Sequence, residues 1–329
     1  MESQNFTRVL SEALNLPALN VAPALAEKGR LLWKEWRSLT LSQERHFENV
    51  TIALVGKYTE LHDSYLSVVK SLEHSAMRCG RKLNLVWVEA EALEPATNEA
   101  SPAKFHKAWH DVCTADGILV PGGFGVRGTE GMIAAAKWAR TTKTPYLGIC
   151  LGMQIAVIEY ARSVLGLKDA NSVEIAASTP DPIVIFMPEG SKTHLGGTMR
   201  LGIRPTVFQH GSEWSKLRQL YGEAGEILER HRHRYEVNPD YVVRLSEAGL
   251  NFVGRDDTGE RMEIVELKED AHPFYVGVQF HPEYLSRVLD PSKPYLGFVA
   301  AASGVLGRVL KGESDMLMNG TSAPISSMN

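Results

Sequence analysis

Apolar positions change rhythm along this chain, and the rhythm divides it. From residue 50 onward, short apolar runs alternate with longer stretches whose apolar residues recur every three or four positions. NVTIALVGKY reads as a strand ending in a glycine turn, and SYLSVVKSLEHSAMRC, residues 64–79, as an amphipathic helix. KLNLVWVEA is a second strand. A polar, proline-bearing stretch and a short helix near Phe105 to Val112 follow. DGILVPGG is a third strand, GMIAAAKWARTT a helix and TPYLGI a fourth strand. This alternation predicts an α/β fold with a mostly parallel central sheet and helices on both faces. Such sheets bind ligands outside the carboxyl ends of their strands. Pro121-Gly122-Gly123 and Cys150 both fall at such ends.

The second half is more mixed. PIVIFMPEG reads as a strand, and GGTMRLG and HRHRYEVN as strands or their rims. SEWSKLRQLYG and PDYVVRLSEAG read as short helices. LNFVGRDDTGERMEIVELK predicts a hairpin turning around Asp257 to Gly259. FYVGVQFHPE is a last apolar strand and PYLGFVAAASGVLGRVL a closing helix. Residues 1–49 read as two or three short helices broken around Pro17 and Pro23. An apolar face through Leu31, Leu32 and Trp36 is expected to dock on a neighbour. After Lys311 the chain is small, polar and without period, which predicts a disordered tail over 312–329.

Composition narrows the class. A formal net charge of -4 and a pI near 6.3 give no global pull towards nucleic acid or an anionic membrane. The HRHR run is short and sits in an acidic chain, so it reads as an exposed basic stretch. Three cysteines make no disulfide framework and no metal knuckle, which points to a reducing compartment. The N-terminal MESQNFTRVLSEALN lacks the apolar core of a secretory signal, and no segment reads as a membrane span. A cytoplasmic protein is the expectation.

The chemistry gathers in three places. In TPYLGICLGMQIAVIEYARSV, Cys150 sits between Gly148 and Gly152 where the strand pattern becomes a helix pattern. A thiol there faces the unpaired amides of a helix N-terminus, which favour thiolate. α/β-Hydrolases place their nucleophile on a similar elbow. A small buried cysteine beside two packing glycines is the alternative. A nucleophile needs a base, and the base an orienting group. His281 follows an apolar strand, and Glu283, two residues on, points the same way if the backbone is extended. Against this stands a plain surface His-Pro turn. The third place is LVPGGFGVRG, residues 119–128, which could turn an N–H towards an oxyanion, with Leu151 N–H as the second donor. Its glycines could instead cradle a phosphate, although the spacing matches neither a Walker loop nor a dinucleotide fingerprint.

Together these pieces resemble a class I glutamine amidotransferase. The ordered set VGKYTELHDSYLSVVKSLEH, LVPGGFGVRGTEGM, LGICLGMQ, GGTMRLG, ERHRHRYEVN and QFHPE is similar to the glutaminase domain of the CTP synthase family, over about residues 50–310. The resemblance implies a three-layer α/β fold for residues 50–311, with residues 1–49 as a helical linker towards an amidoligase domain. It implies Cys150 as nucleophile and His281 and Glu283 as its partners. L-Glutamine would be bound by Gly123, Leu151, Gly152, Met153, Gln154, Glu174 and Arg234, with the backbone of Gly123 and Leu151 holding the oxyanion. Phe124, Arg127 and the Thr198–Arg200 stretch would lie near the domain interface and respond to GTP. No metal or cofactor is implied for this chain. ATP, Mg2+, UTP and allosteric GTP belong to the full enzyme of pyrimidine biosynthesis, which is expected to be a homotetramer. This chain contains no G-x-x-x-x-G-K-[ST]. The rival readings are another class I amidotransferase, a peptidase on the same fold, and a catalytically idle assembly module. Glu174 and Arg234, reading free amino-acid ends, argue against the peptidase.

Overall fold

The computed structural model describes residues 6–16, 21–43, 48–187 and 199–312. It forms two compact units, Met1–Leu41 and Ser42–Asn329. In the first unit, α1 spans Phe6–Ala13, and α2 begins at Pro23 and runs to Gln43. The expected break around Pro23 is present, with the proline opening α2. Proline is tolerated there because a first-turn N–H has no intrahelical acceptor to lose. Leu31, Leu32 and Trp36 are exposed. The expected break at Pro17, residues 196–198 of the GGTMRLG stretch and the tail from 313 lie outside the described residues.

The second unit is built on a nine-stranded sheet. Its first half follows the expected alternation, except that the polar stretch after β2 contains a further short helix, α4: β1 Asn49–Gly56, α3 Leu66–Arg78, β2 Lys82–Glu89, α4 Pro95–Ala100, α5 Pro102–Thr114, β3 Gly117–Val120, α6 Thr129–Thr142, β4 Tyr146–Ile149 and α7 Leu151–Ser163. Then come β5 Asn171–Ser172, β6 Pro182–Phe186, β7 Arg200–Phe208, α8 Lys216–Leu220, β8 Glu226–His233, β9 Tyr235–Val237, α9 Pro239–Glu247, β10 Asn251–Arg255, β11 Met262–Glu266 and β12 Tyr275–Val278. The closing helix is two pieces, α10 Lys293–Ala302 and α11 Leu306–Leu310. Gly304, at φ 70°, breaks it.

The strand order is β2-β1-β3-β4-β12-β11-β10-β7-β8. The five strands β2 to β12 are mutually parallel, and from β12 outward neighbours alternate in direction. A separate small sheet holds β5, β6 and β9. Alternation along β1 shows the layering. Ala53 and Val55 pack with residues of α5, α6 and α7, whereas Ile52 and Leu54 pack with residues of α3 and α10. Both faces of the parallel half are thus covered by helices, and strands buried on both faces need no polar alternation. A bidentate ion pair joins α6 to α7: Arg140 Nε and Nη2 each lie 2.8 Å from an oxygen of Glu159, which is fully buried. β12 sits beside β4, so the carboxyl ends of β3, β4 and β12 open at one edge.

Candidate active site

The turn between β4 and α7 is a single residue, Cys150. Cys150 caps α7 with φ 52° and ψ -100°, a conformation that costs a side-chain-bearing residue roughly 1–3 kcal/mol. Its flanking glycines are required by contact. A Cβ on Gly148 would sit 2.5 Å from Gly152 C and O, and one on Gly152 would sit 2.0 Å from Val120 O. The helix therefore presses directly on β3 and β4, and its first turn, with amides that lack intrahelical acceptors, starts at Leu151. The expected elbow is present.

The second component arrives by a different backbone path from the one expected. β12 ends at Val278, and Pro282–Leu285 forms a 3-10 turn. Extended pleating does not align His281 with Glu283, because the strand has ended. The turn curls the carboxylate back instead, and His281 Nδ1 donates to Glu283 Oε1 at 2.8 Å. Cys150 lines the same cavity as this imidazole and favours its charged form. Burial alone would lower the His281 pKa. The pull of Glu283 and Cys150 outweighs it and holds the imidazole well above its ordinary range.

These groups line a cavity of about 380 Å³ together with Gly122, Gly123, Phe124 and Arg232. Gly122 is the more tightly packed of the two glycines in the wall: a Cβ there would lie 2.7 Å from His281 Cε1 and 3.6 Å from Cys150 Cβ. Sequence reasoning placed both glycines at a strand end but gave a role to Gly123 alone. Gly123 lies beside Leu151 and Lys57, whose atoms would be 3.4 and 3.5 Å from an added Cβ. Lys57 was also missed. Its ammonium donates to the carbonyls of Phe124, at 3.3 Å, and Gly125. Burial lowers its pKa to about 8, with Glu174 pulling the other way. A buried lysine thus pins the glycine loop that faces the thiol.

The remaining sequence candidates fall in three groups. Leu151, Gly152, Met153 and Gln154 form the first turn of α7, all buried. Gln154 Nε2 donates to Tyr235 O at 3.0 Å and to Gln279 Oε1 at 3.1 Å. Glu174 and Arg234 both meet the Phe124–Gly125 segment. Glu174 Oε1 accepts from Gly125 N–H at 3.1 Å, and the Arg234 guanidinium lies 5.5 Å from the centre of the Phe124 ring. Arg127 holds the same loop from outside, paired with Glu89 and donating to Lys57 O. Arg200 is engaged elsewhere: its guanidinium lies 3.5 Å from Glu263 and 3.9 Å from Asp256, both fully buried.

HRHR is not the exposed basic run that its composition suggested. Along β8 exposure alternates, with Arg230 and Arg232 outward and His231 and His233 inward. His231 Nδ1 lies 3.2 Å from His233 Nε2 and 3.5 Å from Glu263 Oε2. The period-two pattern was the available signal. Arginine at every second position masked it.

Against known proteins, the profile described as Glutamine amidotransferase class-I matches residues 60–301. The CTP synthase of Neurospora crassa is 62% identical over 311 residues, covering 94% of this chain and 53% of that protein. The CTP synthase of Schizosaccharomyces pombe is 59% identical over 296 residues, 90% of this chain and 49% of that protein. The chain thus spans about half the length of the curated relatives it matches. A solved glutaminase domain of Trypanosoma brucei CTPS with bound acivicin is 40% identical, with a TM-score of 0.69, and the match covers 78% of this chain and 94% of that one. A thiol on a strained elbow, a histidine–carboxylate pair beside it and these likenesses over most of the chain agree, and the chain belongs to the class I glutamine amidotransferases, alongside the glutaminase domains of CTP synthases.

Proposed function

We infer that this chain hydrolyses L-glutamine to glutamate and ammonia, and that the ammonia serves an amidoligase domain which aminates UTP to CTP. The observation that carries the glutaminase reading is the shared cavity of Cys150 and His281, with the imidazole anchored at 2.8 Å by Glu283. Glu283 fixes the Nδ1–H tautomer, so Nε2 faces the thiol. His281 takes the Cys150 proton, and the thiolate attacks the side-chain amide carbon of glutamine. Backbone N–H groups of Gly123 and Leu151 receive the oxyanion. Protonated His281 returns the proton to the leaving nitrogen, which departs as ammonia. Water, deprotonated by the same imidazole, then cleaves the thioester, releasing glutamate and restoring the thiol.

Glu174 and Arg234 take the α-ammonium and α-carboxylate of the substrate, and arginine suits the second task because its fork grips both oxygens. Phe124 and Arg127, on the same loop, are the candidates for a response to GTP. Arg200 would reach that response only through its buried carboxylates. ATP, Mg2+ and UTP act at the partner domain, and no step in this chain passes through them. The test is glutamate release from glutamine by the 329-residue chain and by its Cys150→Ala variant. Loss in the variant supports the reading, and equal rates overturn it.

A further inference from the structure

β4 and β12 run parallel with Ile149 beside Val278, and Cys150 N–H donates to Val278 O at 2.7 Å. This register sets the next residue of each strand, Cys150 and Gln279, side by side at the carboxyl edge. Gln279 is buried, and its Nε2 lies 3.6 Å from Cys150 Sγ. A glutamine amide can present either end to a neighbour, so its orientation has to be established from its partners. The backbone carbonyl of Tyr235 can only accept, so Gln154 must turn its NH2 towards it. The second hydrogen of that NH2 goes to Gln279, whose facing atom is therefore oxygen. With Oε1 committed to Gln154, the Nε2–H of Gln279 is turned to the sulfur.

We propose that Gln279 is a further catalytic residue of this site: its side-chain N–H donates to the Cys150 sulfur and favours the attacking thiolate over the thiol. The proposal rests on Cys150 being the nucleophile. A hydrogen bond to an anion is about twice as strong as one to a neutral acceptor, so the donor discriminates between the two states of the sulfur. Gln154, one helical turn after Cys150, is the positioning residue that keeps the donor aimed. The roles divide cleanly: His281 carries the proton, Gln279 holds the charge left behind, and neither can replace the other.

The experiment compares the parent chain with Gln279→Glu and Gln279→Leu. Glutamate keeps an oxygen for Gln154 and removes the N–H from the sulfur, while leucine removes both. Alkylation of Cys150 by iodoacetamide is followed from pH 5 to pH 9, beside steady-state glutamine hydrolysis, with circular dichroism to establish folding. Loss of a hydrogen bond to a charged group corresponds to roughly ten- to a hundredfold. Both variants are expected to lose that factor in alkylation at the acid end of the range. Their acid limb moves to higher pH, and the leucine variant approaches the parent rate at the alkaline end. A structural role would lower the rate equally at every pH. Glutamine hydrolysis is expected to fall in kcat with KM little changed. A folded Gln279→Glu variant with the parent's alkylation profile, or a pH-independent loss, overturns the proposal. Should the leucine variant fail to fold, the glutamate variant decides. A parent chain that neither hydrolyses glutamine nor is labelled at Cys150 overturns the nucleophile reading and this proposal together. A parent active in both assays, with variants that match it, overturns the proposal alone.

Discussion

Strand β8 separates two histidine–carboxylate arrangements with opposite electrostatics. On its free edge, Arg230 O accepts the His281 N–H at 2.7 Å, and Arg232 O lies 3.9 Å from Cys150 Sγ. On its inward face stand His231 and His233, with Glu263 on the nearby β11. The His281 pKa is raised well above the ordinary range, whereas burial first, and then neighbouring positive charge, lowers His231 to about 2 and His233 to about 3. Both sites are largely shielded from water, so desolvation alone does not separate them. The carboxylate does. Glu283 meets its imidazole at 2.8 Å, a distance at which charge and hydrogen bond act together. Glu263 stands 3.5 Å from His231, is fully buried, and is itself pushed up to about 8 by desolvation. A carboxyl held towards its neutral form offers the imidazoles little charge, and burial together with the positive charge of Arg200 keeps the inner histidines neutral. One motif, histidine beside glutamate, yields an imidazole that favours its charged form in one place and two that refuse the proton in the other.

The largest expected effect breaks the comparison at the imidazole. His281→Ala should lower kcat/KM for glutamine by about 10²–10⁴-fold, the range for a lost general acid–base. His231→Ala should leave kcat/KM within a few-fold of the parent and instead lower the unfolding midpoint, because a buried polar partner is lost at a cost of about 1–3 kcal/mol. Steady-state kinetics and thermal unfolding of both variants check this, and a comparable loss of kcat/KM from His231→Ala would erase the distinction. Glu283→Ala should cost less than His281→Ala, since an orienting carboxylate assists the base without carrying its proton.

How much of this was legible in the sequence follows the same divide. The parallel half was readable where its strands are short apolar runs and its helices carry a stripe, as in NVTIALVG and Leu66–Arg78, whereas α4, which buries no residue, gave no such signal. The elbow was readable from Gly148 and Gly152 around Cys150. What the sequence concealed was side-chain direction in mixed-polarity strands. HRHR looked like four solvated charges, yet pleating sends two of them inward. Gln279 was hidden for a related reason. Its partner Cys150 stands 129 positions away and is reached only through the β4–β12 register. Glu283 was assigned to His281 by a strand rule, but a 3-10 turn makes the contact. The closing helix was read as continuous because the φ of Gly304 cannot be seen in its neighbours.

A smaller effect sharpens the comparison through pH. His231 and His233 have folded-state pKa values of about 2 and 3, below the ordinary 6.5. Their contribution to stability is therefore complete above 6.5 and is lost as pH falls below it, where the unfolded chain binds protons that the fold refuses. Glu263 runs the other way. Its folded value of about 8 lies above the ordinary 4.5, so its contribution is complete below 4.5 and is lost as pH rises towards 8. Glu229 and Glu266, each raised to about 7 by burial, add to the alkaline loss. Urea midpoints between pH 5 and pH 8 should fall on the alkaline side in the parent. Glu263→Gln, which cannot ionise, should flatten that fall without abolishing it. An identical alkaline slope in the variant would mean that Glu263 is ionised throughout.

The smallest effect concerns stored strain, which the reactive side carries and the inner cluster does not. Cys150 holds φ 52° and ψ -100°, whereas His231 and His233 lie in regular strand. Glycine adopts positive φ without the Cβ penalty, so Cys150→Gly should relax the elbow while removing the nucleophile. Two terms oppose the gain. The unfolded chain becomes more flexible, and the packing of the Cβ and sulfur, buried at 5% exposure, is lost. Cys150→Ala removes the sulfur from the comparison, because alanine loses the sulfur but keeps the Cβ and the strain, leaving strain relief set against the extra flexibility of the unfolded glycine chain. The quantity to measure is therefore the difference between the two variants. Glycine is expected to be more stable than alanine by about 1 kcal/mol, the lower end of the cost of a strained residue. In a chain of this size that is a shift of roughly 1–2 °C in Tm, within reach of calorimetry. Everywhere else in a regular element, glycine is the less stable of the two. An alanine variant equal to or more stable than the glycine variant would show that any strain in the elbow is no larger than the flexibility glycine adds to the unfolded chain.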